Sequence, residues 1–341
     1  MRASRRARIV GGIVGALVAS LGLVSIATGA TADKDYGAIV TDTAGLNDRS
    51  FNFLANKGRL RAEDQLAMDT RAFISKTTAD YLPNLAAAAQ EAGSGGVVIA
   101  NGFLLGADLN TAAGQFKSTN FAIVDFPWVT LADKPANAAG LTFKAQESGY
   151  LVGYLAALMA KAKGGKQVLS AVGGLKIPSV DSWIAGYRAG AQKVNPKIKV
   201  LIAYSGQFPP SAAPKCKEIA LAQIARGAQS VFQVAGGCGL GALDAAKQKK
   251  VWGIGVDADQ FYLGPHILTS GVKRVDNAVF AAFKASQAGT FQGGRDFVFN
   301  LKNGGQDVGK ISPKVPKAFI AAMNAQKKLI INGKVVPPAV L

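Results

Sequence analysis

The chain has 341 residues, a hydrophobic fraction of 49% and a formal net charge of +18. This length is enough for one large domain or for two ordinary ones with buried cores. The basic residues are spread along the chain rather than clustered with aromatic residues, so the charge does not indicate a nucleic-acid-binding protein. Attraction to an anionic cell wall or envelope is the expected consequence.

The first 32 residues have the three parts of a secretory signal peptide. Four arginines lie within residues 2–8, an apolar run covers 9–27, and an A-x-A cleavage pattern ends at Ala32. The alternative is a retained membrane anchor, because the apolar run is nearly long enough to span a bilayer. The Gly, Ala and Ser content and the cleavage pattern favour removal, and the segment holds no cysteine for a lipid anchor. We therefore expect export to the cell envelope or the outside, with the protein either free or held at the membrane surface.

From Asp33 onward, short apolar strands alternate with helical patterns. The first group has strands near 36–41, 70–75, 96–100 and 120–125 and helices near 49–65, 80–92 and 106–117. A Pro-, Ala- and Asn-rich segment at 127–140 breaks the alternation and is interpreted as a crossover. After a long apolar helix near 146–161, the second group has strands near 167–172, 198–204, 230–235 and 251–256 and helices near 179–194, 215–226 and 240–249.

Two groups with the same pattern predict an α/β protein of two doubly wound, Rossmann-like lobes joined by a hinge. A strand near 267–270 and helices near 273–287 and 316–326 complete the chain. We expect the first lobe to contain 33–140 and about 266–290, and the second lobe to contain 141–265 and about 291–341. A ligand would then lie in the cleft between the lobes.

Polar side chains cluster where the first strand gives way to the first helix, the sheet edge at which ligands bind in open α/β folds. The cluster offers a carboxylate at Asp42, an amide at Asn47, a hydroxyl at Ser50 and an aromatic face at Phe51. These groups suit a small polar molecule that carries a flat ring. The alternative is helix capping by Asn47 or Asp48.

Residues after other strands point to the same kind of edge. Asp125 ends the fourth strand, and Asp257 follows a strand of the second group. A carboxylate such as Asp257 can accept two vicinal hydroxyls, and a nearby Lys273 would keep it ionised. Two of the candidates have structural alternatives, because Trp183 could belong to the core and Lys273 could be an ordinary helix residue.

The two cysteines, Cys216 and Cys238, invite a disulfide in an exported protein. Cys216 opens a helical pattern after one strand, and Cys238 lies in the loop after the next. If these strands are neighbours in a parallel sheet, both cysteines lie at the same sheet edge and can be bridged. Free thiols are the alternative.

A set of short segments resembles, in order, the basic membrane protein family, the purine nucleoside receptor branch of ABC-transporter substrate-binding proteins. The segments are 45–52 (GLNDRSFN), 102–103 (GF), 121–125 (FAIVD), 147–153 (ESGYLVG), 183–190 (WIAGYRAG), 235–239 (AGGCG), 255–260 (GVDADQ) and 269–276 (TSGVKRVD). Each is weak alone, but the ordered set is specific. The resemblance implies a type I periplasmic-binding-protein fold, a purine nucleoside ligand, and an ABC importer permease with its ATPase as partners.

The resemblance also implies roles for individual residues. Stacking on the base is expected of Phe51 and Trp183, and a hydrogen bond to the base edge is expected of Asp125. The other expected site residues are, on the first lobe's side of the cleft, Asp42, Asn47, Asp48 and Ser50, and, at the ribose hydroxyls, Gly236, Asp257 and Lys273. The sequence departs from the family at the missing anchor cysteine, at 208–212, where an acidic residue is expected, and at Trp183, where a smaller aromatic is common.

Nothing in the sequence predicts catalysis. The single histidine, His266, has no cysteine or acidic cluster near it in the sequence, and neither a G-x-S-x-G motif nor a phosphate-binding loop occurs. We expect a monomeric binding protein with no cofactor, no metal and no nucleic-acid partner. The alternatives are an exported hydrolase acting on nucleosides and a receptor for a sugar or a signalling molecule.

Overall fold

The computed structural model describes residues 35–341, so the predicted signal peptide at 1–32 lies outside the described residues. Within 35–341, no helix has both the length and the hydrophobicity needed to cross a membrane. Two six-stranded sheets organise this part of the chain.

The elements alternate along the chain as expected. The strands are β1 (Tyr36–Thr41), β2 (Asp69–Phe73), β3 (Val97–Asn101), β4 (Asn120–Val124), β5 (Ala138–Phe143), β6 (Val168–Gly173), β7 (Lys199–Tyr204), β8 (Ala228–Val234), β9 (Trp252–Asp257), β10 (Ile267–Lys273), β11 (Arg295–Phe299) and β12 (Gln306–Val308). The α-helices are α1 (Phe51–Leu66), α2 (Tyr81–Ala92), α3 (Gly106–Gln115), α4 (Ala145–Lys163), α5 (Pro178–Val194), α6 (Ala213–Ala225), α7 (Gly239–Gln248), α8 (Val275–Gln287) and α9 (Lys317–Ile331). Single 3₁₀ turns occur at Thr78–Asp80, Phe103–Leu105, Trp128–Thr130, Pro210–Ala212 and Phe261–Leu263.

The two sheets have the same topology. The first has the order β11-β5-β4-β3-β1-β2 and the second the order β12-β10-β9-β8-β6-β7, so β1 corresponds to β6 and β4 corresponds to β9. Every strand pair is parallel except β10 with β12. Helices flank both sheets, and inner strands such as β1, β3 and β6 are buried along their whole length. The predicted fold of two doubly wound lobes is confirmed.

Strand β5 corrects one expectation, because it lies in the segment interpreted as a crossover. Its first residues, Ala138, Ala139 and Gly140, lack the β-branched side chains that usually mark a strand. A small residue is required here, since a Cβ at Gly140 would overlap a carboxylate oxygen of Asp296, its partner on the neighbouring strand β11. The tight packing at this strand therefore explains why its sequence does not look like a strand.

The sheet pairing also corrects the expected lobe boundaries. Strand β10 pairs with β9 in the second sheet, although 266–290 was assigned to the first lobe. Strand β11 pairs with β5 in the first sheet, although 291–341 was assigned to the second lobe. The chain passes from one lobe to the other after β5, after β10 and between β11 and β12. The sequence of a buried strand does not reveal which of two similar sheets it joins.

Helices α4 and α5 pack at unusually close range through glycines. A Cβ at Gly153 of α4 would overlap the carbonyl oxygen of Tyr187, and a Cβ at Gly190 of α5 would overlap that of Tyr150. Backbones can approach this closely only where side chains are absent. These glycines therefore set the distance between the two main helices of the second lobe.

Replacing Gly153 with alanine is expected to lower the free energy of unfolding by about 3 kcal/mol, because the added methyl must force the two helices apart. Gly114 in α3 is the matched control, since no described atom lies within 4 Å of the position where its Cβ would be. Gly114→Ala should stabilise by about 0.5–1 kcal/mol through helix propensity alone. Urea unfolding of both variants measures the difference, and equal stabilities would contradict the packing role of Gly153.

The disulfide prediction is confirmed. Cys216 on α6 and Cys238 immediately before α7 are bridged, with 5.7 Å between their Cα atoms. Both residues are fully buried. The bridge joins the segments that follow β7 and β8, which flank β6 in the second sheet.

Candidate functional site

A cavity lies between the lobes at the carboxyl ends of the parallel strands, where ligands bind in open α/β folds. The space between its walls, including the open mouth, is about 570 Å³. The lining residues of the first lobe are Asp42, Ala44, Asp48, Phe51, Gly102, Phe103, Leu104 and Asp125. Those of the second lobe are Ile177, Ser179, Val180, Trp183, Phe208, Val234, Gly236, Val256, Asp257 and Lys273.

A buried ionic group lies in the wall of this cavity. The Lys273 ammonium donates to a carboxylate oxygen of Asp125 at 2.6 Å and lies 3.6 Å from one of Asp257. The Lys273 side chain is 3% exposed and each carboxylate side chain 9%. Burial lowers the pKa of Lys273, but Asp125 and Asp257 more than offset this and raise it above its ordinary value. Lys273 therefore stays charged between two carboxylates that belong to different lobes.

The two carboxylates have equivalent positions in the two sheets. Asp125 follows β4, Asp257 is the last residue of β9, and these strands correspond. Both residues have left-handed backbone conformations, with φ of 66° and 61°. Such conformations cost about 1–3 kcal/mol for a residue other than glycine and are concentrated at functional sites. Both carboxylates in these equivalent, left-handed positions lie next to the same lysine.

The first-lobe wall carries two further carboxylates at the start of α1. Asp42 accepts hydrogen bonds from the Ala44 amide at 2.9 Å and from the Asn52 side-chain amide at 2.6 Å. Asp48 accepts from the backbone amides of Ser50, Asn52 and Phe53 at 3.0, 2.7 and 3.0 Å. Asp48 therefore caps the start of the helix and also lines the cavity, while its contact with a ligand stays a prediction.

Burial disfavours the charged form of each of these carboxylates. It raises the pKa of Asp48 to about 7, against the lowering effect of three amide donors. Burial also raises the pKa of Asp42 above its ordinary value, although the bonds from Asn52 and Ala44 oppose this. Burial likewise raises the pKa of Asp257, against the opposing charge of Lys273. Carboxyl groups of this kind can act as acceptors when ionised and as donors when protonated.

Two predicted residues are not among those that line the cavity. Ser50 is fully buried, and its hydroxyl lies 3.0 Å from both the Val256 carbonyl oxygen and an Asp257 carboxylate oxygen. In the structure it therefore joins the first lobe to the second. Asn47 lies in the turn before the helix, one residue ahead of the capping carboxylate, and does not reach the cavity wall.

Aromatic side chains come from both lobes. Phe51 is half-buried, and the Lys273 ammonium lies 4.8 Å from the centre of its ring. Trp183 is only 1% exposed and packs edge-on against Phe232 at 6.1 Å between ring centres. Trp183 therefore belongs mostly to the second-lobe core, which is the alternative given for it in the sequence analysis. The half-buried Phe208 exposes more aromatic surface on that side of the cavity.

Among the aromatic residues that line the cavity, the sequence predicted no site role for Phe208 and included Phe103 only in the family segment 102–103. Phe103 follows the end of β3 and packs on Phe126 at 5.1 Å between ring centres. Phe208 lies four residues after β7, in the segment noted only for lacking an acidic residue. Their positions after strand ends are the signal that could have identified them, because all such ends meet at the ligand edge.

A cavity between two doubly wound lobes is typical of solute-binding proteins. A family model described as ABC transporter substrate-binding protein PnrA-like, the Bmp family, matches residues 37–339. The chain belongs to this family.

Relatives and solved structures agree with this assignment. The chain is 36% identical over 326 residues to the ABC transporter nucleoside-binding protein BmpA of Lactococcus lactis subsp. cremoris, covering 89% of this chain and 88% of that protein. It is 30% identical to an uncharacterized lipoprotein of Pyrococcus abyssi, covering 88% of this chain and 79% of that protein. A solute-binding protein of an ABC transporter system from Aeropyrum pernix K1 superposes with a TM-score of 0.79 at 26% identity, covering 89% and 93% of the two chains.

These comparisons confirm the family, the fold and the prediction that the protein is not an enzyme. It is a substrate-binding protein of an ABC transporter system, so its partners are a small-molecule ligand and the transporter's permease and ATPase. Substrate-binding proteins are exported, and several relatives carry the name lipoprotein. Residues 1–32 of this chain contain no cysteine.

Proposed function

We propose that this protein binds a purine nucleoside between its lobes and delivers it to the permease of an ABC importer. The observation that carries the proposal is the combination, in one cavity, of a buried Asp125–Lys273–Asp257 group with an aromatic side chain from each lobe. A nucleoside has the matching parts, since its ribose carries vicinal hydroxyls and its base is a flat ring.

The ionic group suits the ribose. One oxygen of Asp257 is buried and lies 3.6 Å from the Lys273 ammonium, too far for a hydrogen bond, and it has no hydrogen-bond partner among residues 35–341. A hydroxyl donor would satisfy it, and a buried acceptor left unpaired costs about 1–3 kcal/mol. Because Asp125 shares Lys273 with Asp257, we place Asp125 at the ribose rather than at the base edge expected from the family resemblance. Gly236, also in the wall, allows the backbone of the second lobe to come close to the sugar.

The aromatic side chains and the first-lobe carboxylates suit the base. Phe51 from α1 and Phe208 from the second lobe provide apolar ring surface for stacking, which contributes about 0.5–1.5 kcal/mol beyond burial. We keep Trp183 as a packing support beneath this surface. Asp42 and Asp48 can accept N–H groups of the base edge, and each contact of this charged type contributes about 1.5–3 kcal/mol. The relative named nucleoside-binding protein supports the same ligand class.

The charge of the cavity wall predicts that the protein discriminates against nucleotides. Among the described lining residues, four are carboxylates and Lys273 is the one cation, already held by two of them. A phosphate group would add negative charge next to these carboxylates in a buried site. Like charges brought together in this way cost several kcal/mol, so nucleotides should bind far more weakly than nucleosides.

Calorimetric titration of the protein, unfolded and refolded to remove carried-over ligand, tests the proposal. Inosine, guanosine and adenosine are compared with their free bases, with ribose and with their 5′-monophosphates. We expect nucleosides to bind at least about 100-fold more tightly than base, ribose or nucleotide, because only they engage both halves of the site. Tighter binding of a sugar, or of none of these compounds, would contradict the proposed ligand class.

The proposal includes the path of the protein to its site of action. Residues 1–32 would direct export, and the mature chain would act in the cell envelope, close to the permease. The three crossings between the sheets would serve as the hinge about which the lobes close on the ligand.

A further inference from the structure

The segment that carries Phe208 is only weakly anchored by hydrogen bonds, and its main buried contact is the Phe208 ring, which packs on Gly174 and against the core of the second lobe. Residues 205–212 leave β7, the edge strand of the second sheet, and lead into α6. Gly206, Gln207 and Ser211 are exposed, and the remaining residues are only half-buried. The amides of Ser205 and Gly206 donate to Gly173 and Gly174, but these bonds lie before Phe208. Exposed segments with few buried contacts open locally at low free-energy cost.

Beyond Phe208, the segment lies against the turn between β8 and α7. A Cβ at Gly237 would overlap the ring of Pro210, and a Cβ at Gly241 would overlap the carbonyl oxygen of Ala213. The amide of Cys238 donates to the carbonyl oxygen of Phe208 at 2.9 Å. The two segments therefore come into close contact at glycines, which have no side chains that could hold them together.

The disulfide is the covalent link between these two segments. Cys216 lies in α6 just after the weakly anchored segment, and Cys238 is the residue whose amide holds the Phe208 carbonyl. The bridge thus keeps the amide of residue 238 within hydrogen-bond distance of the Phe208 carbonyl oxygen. Gly236, two residues before Cys238, lines the same cavity.

We propose that the Cys216–Cys238 disulfide is a positioning element of the ligand site, which holds Phe208 in the orientation that contacts the ligand ring. The binding part of this inference rests on the proposed nucleoside function, but its structural part does not. The expected consequence is that loss of the bridge frees 205–212 and lowers affinity for ring-bearing ligands, while the remaining cavity keeps its shape.

Hydrogen–deuterium exchange on the ligand-free protein tests the structural part. In Cys216→Ala/Cys238→Ala, we expect the hydrogen-bonded amides within 207–212, which are those of Gln207 and Ala212, and the amide of residue 238 to exchange at least about tenfold faster, because the segment then opens locally. Amides of β6 and α4 should keep their protection. A Cys216→Ser/Cys238→Ser pair repeats the measurement in case one pair folds poorly. Unchanged exchange at 207–212, or a uniform increase over the whole second lobe, would overturn the inference.

A double-mutant cycle tests the binding part. Adenosine affinity is compared among the wild type, the cysteine-pair variant, Phe208→Ala, and the combination of the two. If the bridge acts through Phe208, its removal should cost about tenfold in the wild-type background and almost nothing once Phe208 is alanine. An equal loss in both backgrounds would overturn the role assigned to Phe208. A wild-type protein that binds no nucleoside would refute the proposed function instead, and the exchange experiment would then decide the inference alone.

Discussion

Replacing Lys273 with methionine is expected to lower the free energy of unfolding by about 3–5 kcal/mol and to abolish nucleoside binding. Methionine keeps most of the side-chain volume but removes the ammonium that lies 2.6 Å from Asp125 and 3.6 Å from Asp257. Two buried carboxylates would then face each other without a cation. Urea unfolding at pH 7 measures the stability loss, and titration with inosine measures the binding.

The pH dependence of this loss has a definite sign. Burial raises the pKa of Asp257 and Lys273 opposes this, so removal of the ammonium raises that pKa further. Asp257 then binds its proton more tightly in the folded protein than in the unfolded chain, and stability falls as the pH rises. The deficit should therefore be largest at neutral pH and should shrink as the pH is lowered towards 3.8, the ordinary value of an aspartate pKa. A deficit that is the same at pH 4.5 and pH 7.5 would contradict the charge-based explanation.

Two further variants separate charge from shape. Adding Asp257→Asn to Lys273→Met removes the repulsion, so it should recover much of the stability without recovering binding. Lys310→Met is the surface control, because that exposed ammonium lies 4.7 Å from the centre of the Phe261 ring. Exposed contacts of this kind contribute only about 0.5–1 kcal/mol, so this control should leave both measurements almost unchanged.

The parts of the site that the sequence predicts are those attached to strand ends. Asp125 and Asp257 end buried strands, and the carboxyl edge of a parallel sheet is the same edge for every strand. The polar cluster of Asp42 and Asp48 was found for the same reason. Local pattern is sufficient for these residues because the backbone alone determines which edge they occupy.

The parts that the sequence does not predict depend on contacts between distant segments. Phe208 lies in an irregular segment that contacts the turn before α7, and no pattern in the sequence predicts that contact. Ser50 has a hydroxyl of the kind that contacts ligands, but in the structure this hydroxyl bonds to Val256 and Asp257 of the other lobe. The sheets that β10 and β11 join likewise depend on where the chain passes between the lobes. The sequence does not reveal these points, because the two lobes have the same pattern of strands and helices.

Replacing Phe51 with alanine is expected to weaken purine nucleoside binding by about 10- to 100-fold, because the base loses a stacking face and buried apolar contact. The loss should be similar for inosine, guanosine and adenosine, since stacking depends on the flat ring rather than on its edge groups. Calorimetric titration with each nucleoside measures it. Phe51→Tyr, which keeps the ring, should bind almost as tightly as the wild type.

Phe53 provides the matched control on the same helix. It lies two residues further along α1, is 46% exposed and is not among the residues that line the cavity. Phe53→Ala removes the same ring from the same helical turn but leaves the packing of Phe51 against the core intact, so it measures how far a weakened helix start alone lowers affinity. A selective loss in Phe51→Ala, with thermal midpoints of the two variants alike, would place the base against Phe51. Equal losses of affinity in both would mean that the ring acts by stabilising α1, and the stacking role would have to be abandoned.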